Sequence, residues 1–479
     1  MGRGGILAVQ TAAMRGLYLY GPPASGKSTL GLALAERFGV EFHDLDSEIV
    51  RIAGRSIPDI FAADGESAFR RIEKEVLAAL PEGGLVALGG GSLLDGESRA
   101  LAESRGKVLL LDVDEAEIRR RIEAQTGTRP LGATVLASRA AHYASFPIHL
   151  AAHYPIDSGD APSDVFVGKG LIDAVGSLET LVLGCGKCVV VADSNTASPH
   201  GERVRDVLSA AGIPATLHVF PAGERNKTIE TIGGIWRAFL SAGLGRHDFA
   251  VAVGGGVVGD MTGFAAACWM RGIPWVNVPT SLLSMVDAST GGKTGCDLPE
   301  GKNLVGAFHS PRLVVIDEEV LSTLPLREMR SGRAEWIKHD IISGRRAATI
   351  AETLAVKVGI VREDPWEGGI RAKLNLGHTV GHALEIAIDF RLSHGEAVSI
   401  GAVEEARIAA KLGLAAETWP EEVVAMFAEA GLPTSLPDGI TFDSLRDIMA
   451  RDKKQTTSRR VRFALPCAMG DVRLVPIDI

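Results

Sequence analysis

The sequence predicts an α/β chain in three successive parts: a parallel sheet with helices around a phosphate-binding loop, a second α/β domain, and a mainly helical region able to hold a metal ion. Three observations predict it. An apolar run, Leu17 to Tyr20, leads into Gly21-Pro-Pro-Ala24-Ser25-Gly26-Lys27-Ser28 and then a helical pattern to about Phe38. From Val165, apolar strands alternate with helical stretches, and one strand closes on Gly254-Gly255-Gly256. Beyond Pro311 the pattern turns helical and sets His378 and His382 four apart, on one helix face.

At 479 residues the chain is too long for one typical core, so two to four domains are expected. Apolar content of 46% and charge of 23% are ordinary for a globular protein. A net charge of −9 argues against non-specific nucleic-acid binding. No stretch is long and apolar enough to span a membrane. The N-terminus lacks a basic start followed by an apolar segment, and five cysteines fit a reducing compartment, so a cytoplasmic protein is expected. Cys185-Gly-Lys-Cys188 has no second pair to complete a zinc site and runs into an apolar strand, so it reads as incidental.

The first motif is G-x-x-x-x-G-K-S between a strand and a helix. Its backbone N–H groups, at Gly21 and from Ala24 through Thr29, cradle phosphates. Lys27 reaches the β- and γ-phosphates, and the Ser28 hydroxyl ligates Mg²⁺. Asp44 and Asp46 follow, one residue apart at a strand end. On a regular strand they share a face, one reaching Mg²⁺ and the other a substrate hydroxyl. Arg70, Arg139 (with Tyr143 four residues on) and the Gly89-Gly90-Gly91 turn suit a small carboxylate. Arg129-Pro130-Leu131 precedes Arg139.

Residues 153–164 are a linker by composition, which sets domains at 1–155, 165–315 and 316–479 with a linker at 156–164. Strands end in Asp193-Ser-Asn195 and near Glu224 to Lys227. The densest window is Val251 to Asn303: Gly254-Gly255-Gly256-Val257-Val258-Gly259-Asp260, a helix-like run from Met261 to Met270, Arg271, Pro279-Thr280-Ser281, Asp287, Gly291-Gly292-Lys293 and Lys302-Asn303. Adjacent glycines let backbone N–H groups approach a phosphate, and Gly-Gly-Lys beside a carboxylate reads as a second anion site. In the helical part, Glu335 and Lys338 lie three apart, and Asn375, His378, His382, His394 and Glu396 follow. Three histidines and a glutamate make a plausible zinc set, and spacing alone does not say which three residues bind.

The Val251–Asn303 window resembles 3-dehydroquinate synthase, whose pattern stands here in order. The resemblance implies a Rossmann-like, NAD-binding α/β domain and a helical zinc or cobalt domain. It places Asp193, Asn195, Glu224, Lys227, Gly254 to Val257, Asp260, Thr280, Ser281, Lys293 and Lys302 around NAD. It prefers Glu335, His378 and His394 as metal ligands, with His382 near the substrate phosphate. It assigns Arg271, Asp287, Lys293, Asn303, Lys338, Lys357, Arg371, Asn375, His382 and one of Lys453 or Lys454 to the substrate, with Lys293, Lys338, His382 and Asp287 catalytic.

Residues 17–155 resemble shikimate kinase, a P-loop kinase fold. That resemblance gives Asp46, Arg70, Gly89 to Gly91 and Arg139 to shikimate, Asp44 and Ser28 to magnesium, Arg129 to the lid over ATP, and Lys27 and Asp46 to catalysis. The two together imply a bifunctional shikimate-pathway enzyme acting on small anionic substrates, with NAD, zinc, and Mg²⁺–ATP as cofactors. A homodimer through the synthase part is also implied.

Two departures stand out. Only ten positions separate Arg129 from Arg139, a short lid, and the segment between Lys338 and Lys357 is trimmed, with Trp336 and His339 in place of a small apolar residue and Tyr. The alternatives are a degenerate nucleotide-binding kinase domain beside an active synthase, or a metal-dependent NAD alcohol or glycerol dehydrogenase.

Overall fold

A computed structural model describes residues 16–124, 134–184, 186–299, 301–389, 391–452 and 460–479. Arg129, Pro130, Leu131, Cys185, Lys453 and Lys454 lie outside the described residues. The chain divides into two compact units. One is Met1–His153 with Phe166–Lys187 and Val204–Ala215; the other is Tyr154–Val165, Cys188–Arg203 and Thr216–Ile479.

In the first unit, strands β1 (Gly16–Tyr20), β2 (Phe42–Asp44), β3 (Leu85–Ala87), β4 (Gly106–Leu111) and β5 (His149–Ile156) form a parallel sheet in the order β2-β3-β1-β4-β5. β1 is central and buried throughout, as its apolar run demands. Its C-terminal end feeds the phosphate loop, which turns into the helix Lys27–Phe38 through Gly26 at φ 96°. The open end of a central parallel strand is where such sheets bind ligands.

β6 (Ser163–Lys169) follows the 157–162 connection. The second unit contains β7 (Cys188–Asp193), β8 (Ala215–Phe220), β9 (Phe249–Gly254), β10 (Trp275–Pro279) and β13 (Leu313–Asp317), in the order β13-β10-β9-β7-β8. The pairs β13–β10, β10–β9 and β9–β7 are parallel. β11 (Lys293–Leu298) and β12 (Gly301–Phe308) form an antiparallel ribbon. β14 (Arg460–Ala468) and β15 (Asp471–Asp478) form the closing strand pair expected at the tail.

The helix after the glycine triplet runs Gly256–Cys268, not Met261 to Met270. It starts earlier because the last glycine of the turn is also its first residue. Its glycines serve close packing. A Cβ on Gly263 would fall 2.4 Å from Thr294 and 2.8 Å from Trp275, so the helix lies directly on β10 and β11. Helices Leu326–Ser343, Ile350–Glu363, His378–Ala387 and His394–Lys411 carry the rest of the site.

Candidate active sites

In the first unit a cleft of about 970 Å³ is lined by Lys27, Ser28, Asp44, Asp46, Arg70, Glu73, Gly89 to Gly91, Arg121 and Arg139. Lys27 Nζ donates to the carbonyls of Gly21 (2.9 Å) and Pro22 (2.8 Å), so the lysine lies folded on its own loop. The Ser28 hydroxyl donates to Asp44 Oδ2, which joins the two residues assigned to Mg²⁺.

One expectation is corrected. Asp44 and Asp46 do not share a strand face, because β2 ends at Asp44, which caps the next helix by accepting from the Ser47 N–H at 3.0 Å. Asp46 sits in the first turn of that helix. Both still line the cleft, one on each side of the strand-to-helix turn.

The glycine turn forms a cradle. A Cβ on Gly91 would lie 2.7 Å from Arg70 Nη2 and 2.9 Å from Arg139 Nη1, and one on Gly89 would meet Glu73 and Asp46. Any larger side chain fills the space between two guanidiniums, the space a carboxylate fits. Arg139 Nη1 and the Tyr143 hydroxyl both donate to the Gly90 carbonyl, at 3.2 and 2.6 Å.

Sequence reasoning missed two residues here. Glu73 is buried and accepts from Arg70 Nη1 at 2.5 Å; burial pushes its carboxyl up against the pull of Arg70. Arg121 approaches the Ala24 and Ser25 carbonyls of the phosphate loop at 3.4 and 3.5 Å. Glu73 stands three residues after Arg70 on the same helix, a local signal that could have found it, whereas Arg121 meets the site only by tertiary convergence.

In the second unit the predicted residues gather into three touching groups. The first surrounds Lys227, whose Nζ donates to Asp260 Oδ2 and Asn303 Oδ1, both at 2.6 Å. Burial works against the ammonium, but Asp260 and Glu224 raise it to about 12. Lys302 Nζ lies 3.1 Å from Glu224 Oε1 and 3.5 Å from Glu385 Oε1. At the end of β7, Asp193 Oδ1 accepts from the N–H groups of Asn195 and Thr196, so it shapes its own turn. The Thr196 hydroxyl reaches the Val253 carbonyl at 3.0 Å, beside the glycine triplet. Thr280 N–H bonds the Gly254 carbonyl at 2.9 Å, and Ser281 would be 3.4 Å from a Cβ on Gly255.

The second group centres on Asp287. Lys357 donates to Oδ1 at 2.7 Å, with Lys338 Nζ at 3.6 Å and His339 Nε2 at 3.5 Å. Burial would raise Asp287, but Lys338 and Lys357 hold it well below the carboxylate range. Burial lowers Lys357 to about 8. His339 is fully buried with both ring nitrogens unbonded, and Trp336 stacks beneath Arg333 at 4.5 Å. The trimmed connection between the helices therefore still aims Lys338 and Lys357 at one carboxylate.

Arg371, 1% exposed, donates to the carbonyls of Pro365 and Gly291 and leaves Nε unpartnered. Lys293 pairs with Glu367, which also accepts from Asn375 Nδ2 at 2.9 Å. Glu367 was missed by sequence reasoning; its backbone is left-handed (φ 62°) and no motif marks it. Arg271 is not brought into these groups: it is exposed in a left-handed turn (φ 70°).

The third group is Glu335, His378 and His394, whose potential ligand atoms lie within 4.8 Å of one another. Glu335 Oε1 is 3.5 Å from His378 Nε2 and 3.2 Å from His394 Nε2. Glu335 is fully buried, and its Oε2 pairs with Lys338. His378 Nδ1 lies 3.0 Å from the Leu376 carbonyl, which fixes the tautomer and leaves Nε2 free to ligate. A fully buried carboxylate whose Oε1 faces two imidazole nitrogens fits a zinc-type ion. Burial takes His378 down to about 3. His394, despite burial, is raised to about 10 by Glu335 and Glu385.

Glu396 is spent elsewhere, in a capping box with Ser393 and a pair with Arg327 at 2.8 Å. His382 stays beside the set, its ring 5.3 Å from His378 and 5.9 Å from His394. Glu385, also missed, completes a second cluster with His382 and His394.

Three family models match the chain: shikimate kinase over residues 23–147, 3-dehydroquinate synthase N-terminal over 217–331 and 3-dehydroquinate synthase C-terminal over 315–455. The 3-dehydroquinate synthase of Symbiobacterium thermophilum is 42% identical over 343 residues, 67% of this chain and 96% of that one. The Caulobacter vibrioides enzyme is 41% identical over 344 residues, covering 66% and 93%. A 2-deoxy-scyllo-inosose synthase, solved with carbaglucose-6-phosphate, NAD⁺ and Co²⁺, shares the fold at TM-score 0.63 and 24% identity, over 68% of this chain and 97% of that one. A 2-epi-5-epi-valiolone synthase from Streptomyces hygroscopicus, with NAD⁺ and Zn²⁺ bound, aligns at TM-score 0.59 and 28% identity, covering 65% and 92%. The chain belongs to the 3-dehydroquinate synthase family and carries a shikimate kinase family domain ahead of it.

Proposed function

We propose that the chain is a bifunctional shikimate-pathway enzyme. Its second unit converts 3-deoxy-D-arabino-heptulosonate 7-phosphate to 3-dehydroquinate and phosphate; its first phosphorylates shikimate with ATP. One observation carries the synthase reading. Glu335 belongs both to the metal-capable set and, through Lys338, to the cationic group around Asp287. A carbon to be oxidised and a phosphate to be expelled can therefore sit a few ångströms apart.

When bound, NAD supplies a transient hydride acceptor and zinc a Lewis acid for the oxidised oxygen. Glu335, His378 and His394 hold the ion. Lys293, Lys357 and Arg371, with Asn375, bind the substrate's carboxylate and phosphate and keep the chain bent for ring closure. His382 stands by the departing phosphate. Lys227, Glu224, Lys302, Asp260 and the Gly254–Gly256 turn bind the dinucleotide. Cationic Lys338, Lys357 and Arg371 favour a doubly anionic substrate over the simple alcohol of a dehydrogenase.

In the kinase unit, Lys27 and the loop hold the ATP phosphates, Ser28 and Asp44 the magnesium, Arg70 and Arg139 the shikimate carboxylate, and Asp46 the reacting hydroxyl. The domain boundaries 1–155, 165–315 and 316–479, a homodimer through the synthase part and a cytoplasmic location belong to the same reading. Light scattering on the purified chain tests the dimer.

The test is to supply the heptulosonate substrate with NAD and zinc. Phosphate release without net NADH supports the synthase; net NADH from an alcohol would replace it with a dehydrogenase. ATP-dependent phosphorylation of shikimate, lost by at least about 100-fold in Lys27→Ala, tests the kinase. Absence of turnover in the unaltered chain would reduce that domain to a nucleotide-binding module.

A further inference from the structure

The two histidines of the metal-capable set differ in what holds their outer nitrogen. For His378 it is a backbone carbonyl, which no substitution removes. For His394 it is a side chain: Glu385 Oε1 lies 3.5 Å from His394 Nδ1. Glu385 is 2% exposed, and its other oxygen, Oε2, is buried with no hydrogen-bond partner among the described residues. Its Oε1 also faces Lys302 Nζ at 3.5 Å, and Lys302 in turn faces Glu224 at 3.1 Å. Lys302 stands on β12, in the ribbon whose next residue, Asn303, holds Lys227. One buried carboxylate oxygen thus lies between the helix carrying His394 and the nucleotide-facing ribbon.

We propose that Glu385 is a positioning residue: it fixes the Nδ1 side of His394 so that Nε2 faces the metal, and through Lys302 it couples metal occupancy to dinucleotide occupancy. The proposal rests on Glu335, His378 and His394 being the metal set. A hydrogen-bonding carboxylate behind a ligating imidazole fixes its tautomer and orientation, and its loss typically weakens metal binding about 10–100-fold. Coupling is reciprocal: whatever factor NAD adds to zinc affinity, zinc adds to NAD affinity. His382 and Glu385 also form a metal-capable cluster with His394, and the experiment separates that role from the proposed one.

Zinc affinity of the full chain is measured by competition with a chromophoric chelator, with and without NAD, and NAD affinity by calorimetry, with and without zinc. The variants are Glu385→Ala, Glu385→Gln, Lys302→Met and His394→Ala. In the unaltered chain NAD should tighten zinc several-fold. Glu385→Ala should weaken zinc about 10–100-fold and abolish the NAD effect. Glu385→Gln keeps an acceptor for Nδ1–H without the charge that faces Lys302. It should retain most zinc affinity and lose the coupling, as should Lys302→Met when read at NAD concentrations that saturate that variant, since Lys302 also binds the dinucleotide. The visible spectrum of the cobalt-loaded chain should shift in Glu385→Ala and not in Lys302→Met. If Glu385→Ala is recovered unfolded, the isosteric Glu385→Gln and Lys302→Met carry the test.

Zinc affinity in Glu385→Ala within twofold of the unaltered chain, or an undiminished NAD effect there, overturns the proposal. Loss in Glu385→Gln as deep as in His394→Ala would make Glu385 a direct ligand and overturn it as well. If His394→Ala itself leaves zinc binding intact, the metal-set reading fails, and the proposal falls with it.

Discussion

Replacing Gly401 with Ala tests the geometry of the metal-capable set without touching any of its members. Gly401 lies on the His394–Lys411 helix where it crosses the His378–Ala387 helix. A Cβ there would stand 2.0 Å from the Gly377 carbonyl oxygen and 2.8 Å from the Gly381 nitrogen, both rigid backbone. Restoring an ordinary carbon–oxygen contact parts the helices by about 1 Å, and overpacking of this kind costs about 1–3 kcal/mol. Alanine returns up to about 1 kcal/mol of helix propensity, so the net stability loss is modest.

The metal set has no such tolerance. His378 and His394 begin these two helices, and ligand distances hold to about 0.2 Å. We expect a stability loss of about 1–2 kcal/mol by denaturant titration. Zinc affinity should fall at least about 100-fold, or about 2.7 kcal/mol. Gly359→Ala is the control: nothing among the described residues lies within 4 Å of its added Cβ, and it should be neutral or stabilising by up to about 1 kcal/mol. Zinc affinity in Gly401→Ala within twofold of the unaltered chain would refute the claim that this crossing sets the site.

Three further outcomes follow from buried ionisable groups. Glu179, fully buried with Oε1 unpartnered, is raised by burial from 4.5 to about 8, so the native state holds a proton the unfolded chain releases; stability is present below about pH 4.5 and lost as pH rises towards 8. Glu179→Gln should therefore match the unaltered chain at low pH and exceed it above pH 8, by at most about 5 kcal/mol in denaturant titrations, and equal stability at both ends would count against it. Lys357, at about 8, loses its charge as pH rises through that value; synthase kcat/KM should fall there, and a flat profile to pH 9.5 would contradict its role in anion binding. Zinc must displace the proton that Glu335 and Glu385 hold on His394, raised to about 10, so calorimetry in buffers of differing ionisation enthalpy near pH 8 should show about one proton released per zinc.

Much of both sites was legible because their chemistry needs backbone shapes that leave local marks. The loop ending in Gly26-Lys27-Ser28 turns through a left-handed Gly26 (φ 96°), and at the glycine triplet a Cβ on Gly254 would fall 2.4 Å from Val258; glycine runs of this kind can be read without knowing the fold. Helical spacing put His378 and His382 on one face, but it cannot say which ring nitrogen faces which partner. The Leu376 carbonyl settles it locally for His378, and Glu335 and Glu385 settle it for His394 from other helices. Asp44 and Asp46 were paired on the right cleft for the wrong reason, since period-two logic fails where a strand becomes a helix. Arg121, Glu367 and Glu385 were invisible for a shared cause: each is an ordinary charged residue until another element approaches it, whereas Glu73 pairs with Arg70 three residues away on its own helix.

Asp287 also constrains the order in which this half of the chain can decay through mutation. It is the anion against which buried Lys338 and Lys357 are set, with His339 alongside. Losing it first leaves two buried ammonium groups with one neutraliser fewer, a cost of about 3–5 kcal/mol for a broken buried pair. Losing Lys357 first leaves Asp287 with Lys338 still beside it. A lineage released from selection for the reaction should therefore shed Lys357 before Asp287, and a descendant with an apolar residue at 357 and Asp287 intact would record that decay part-way.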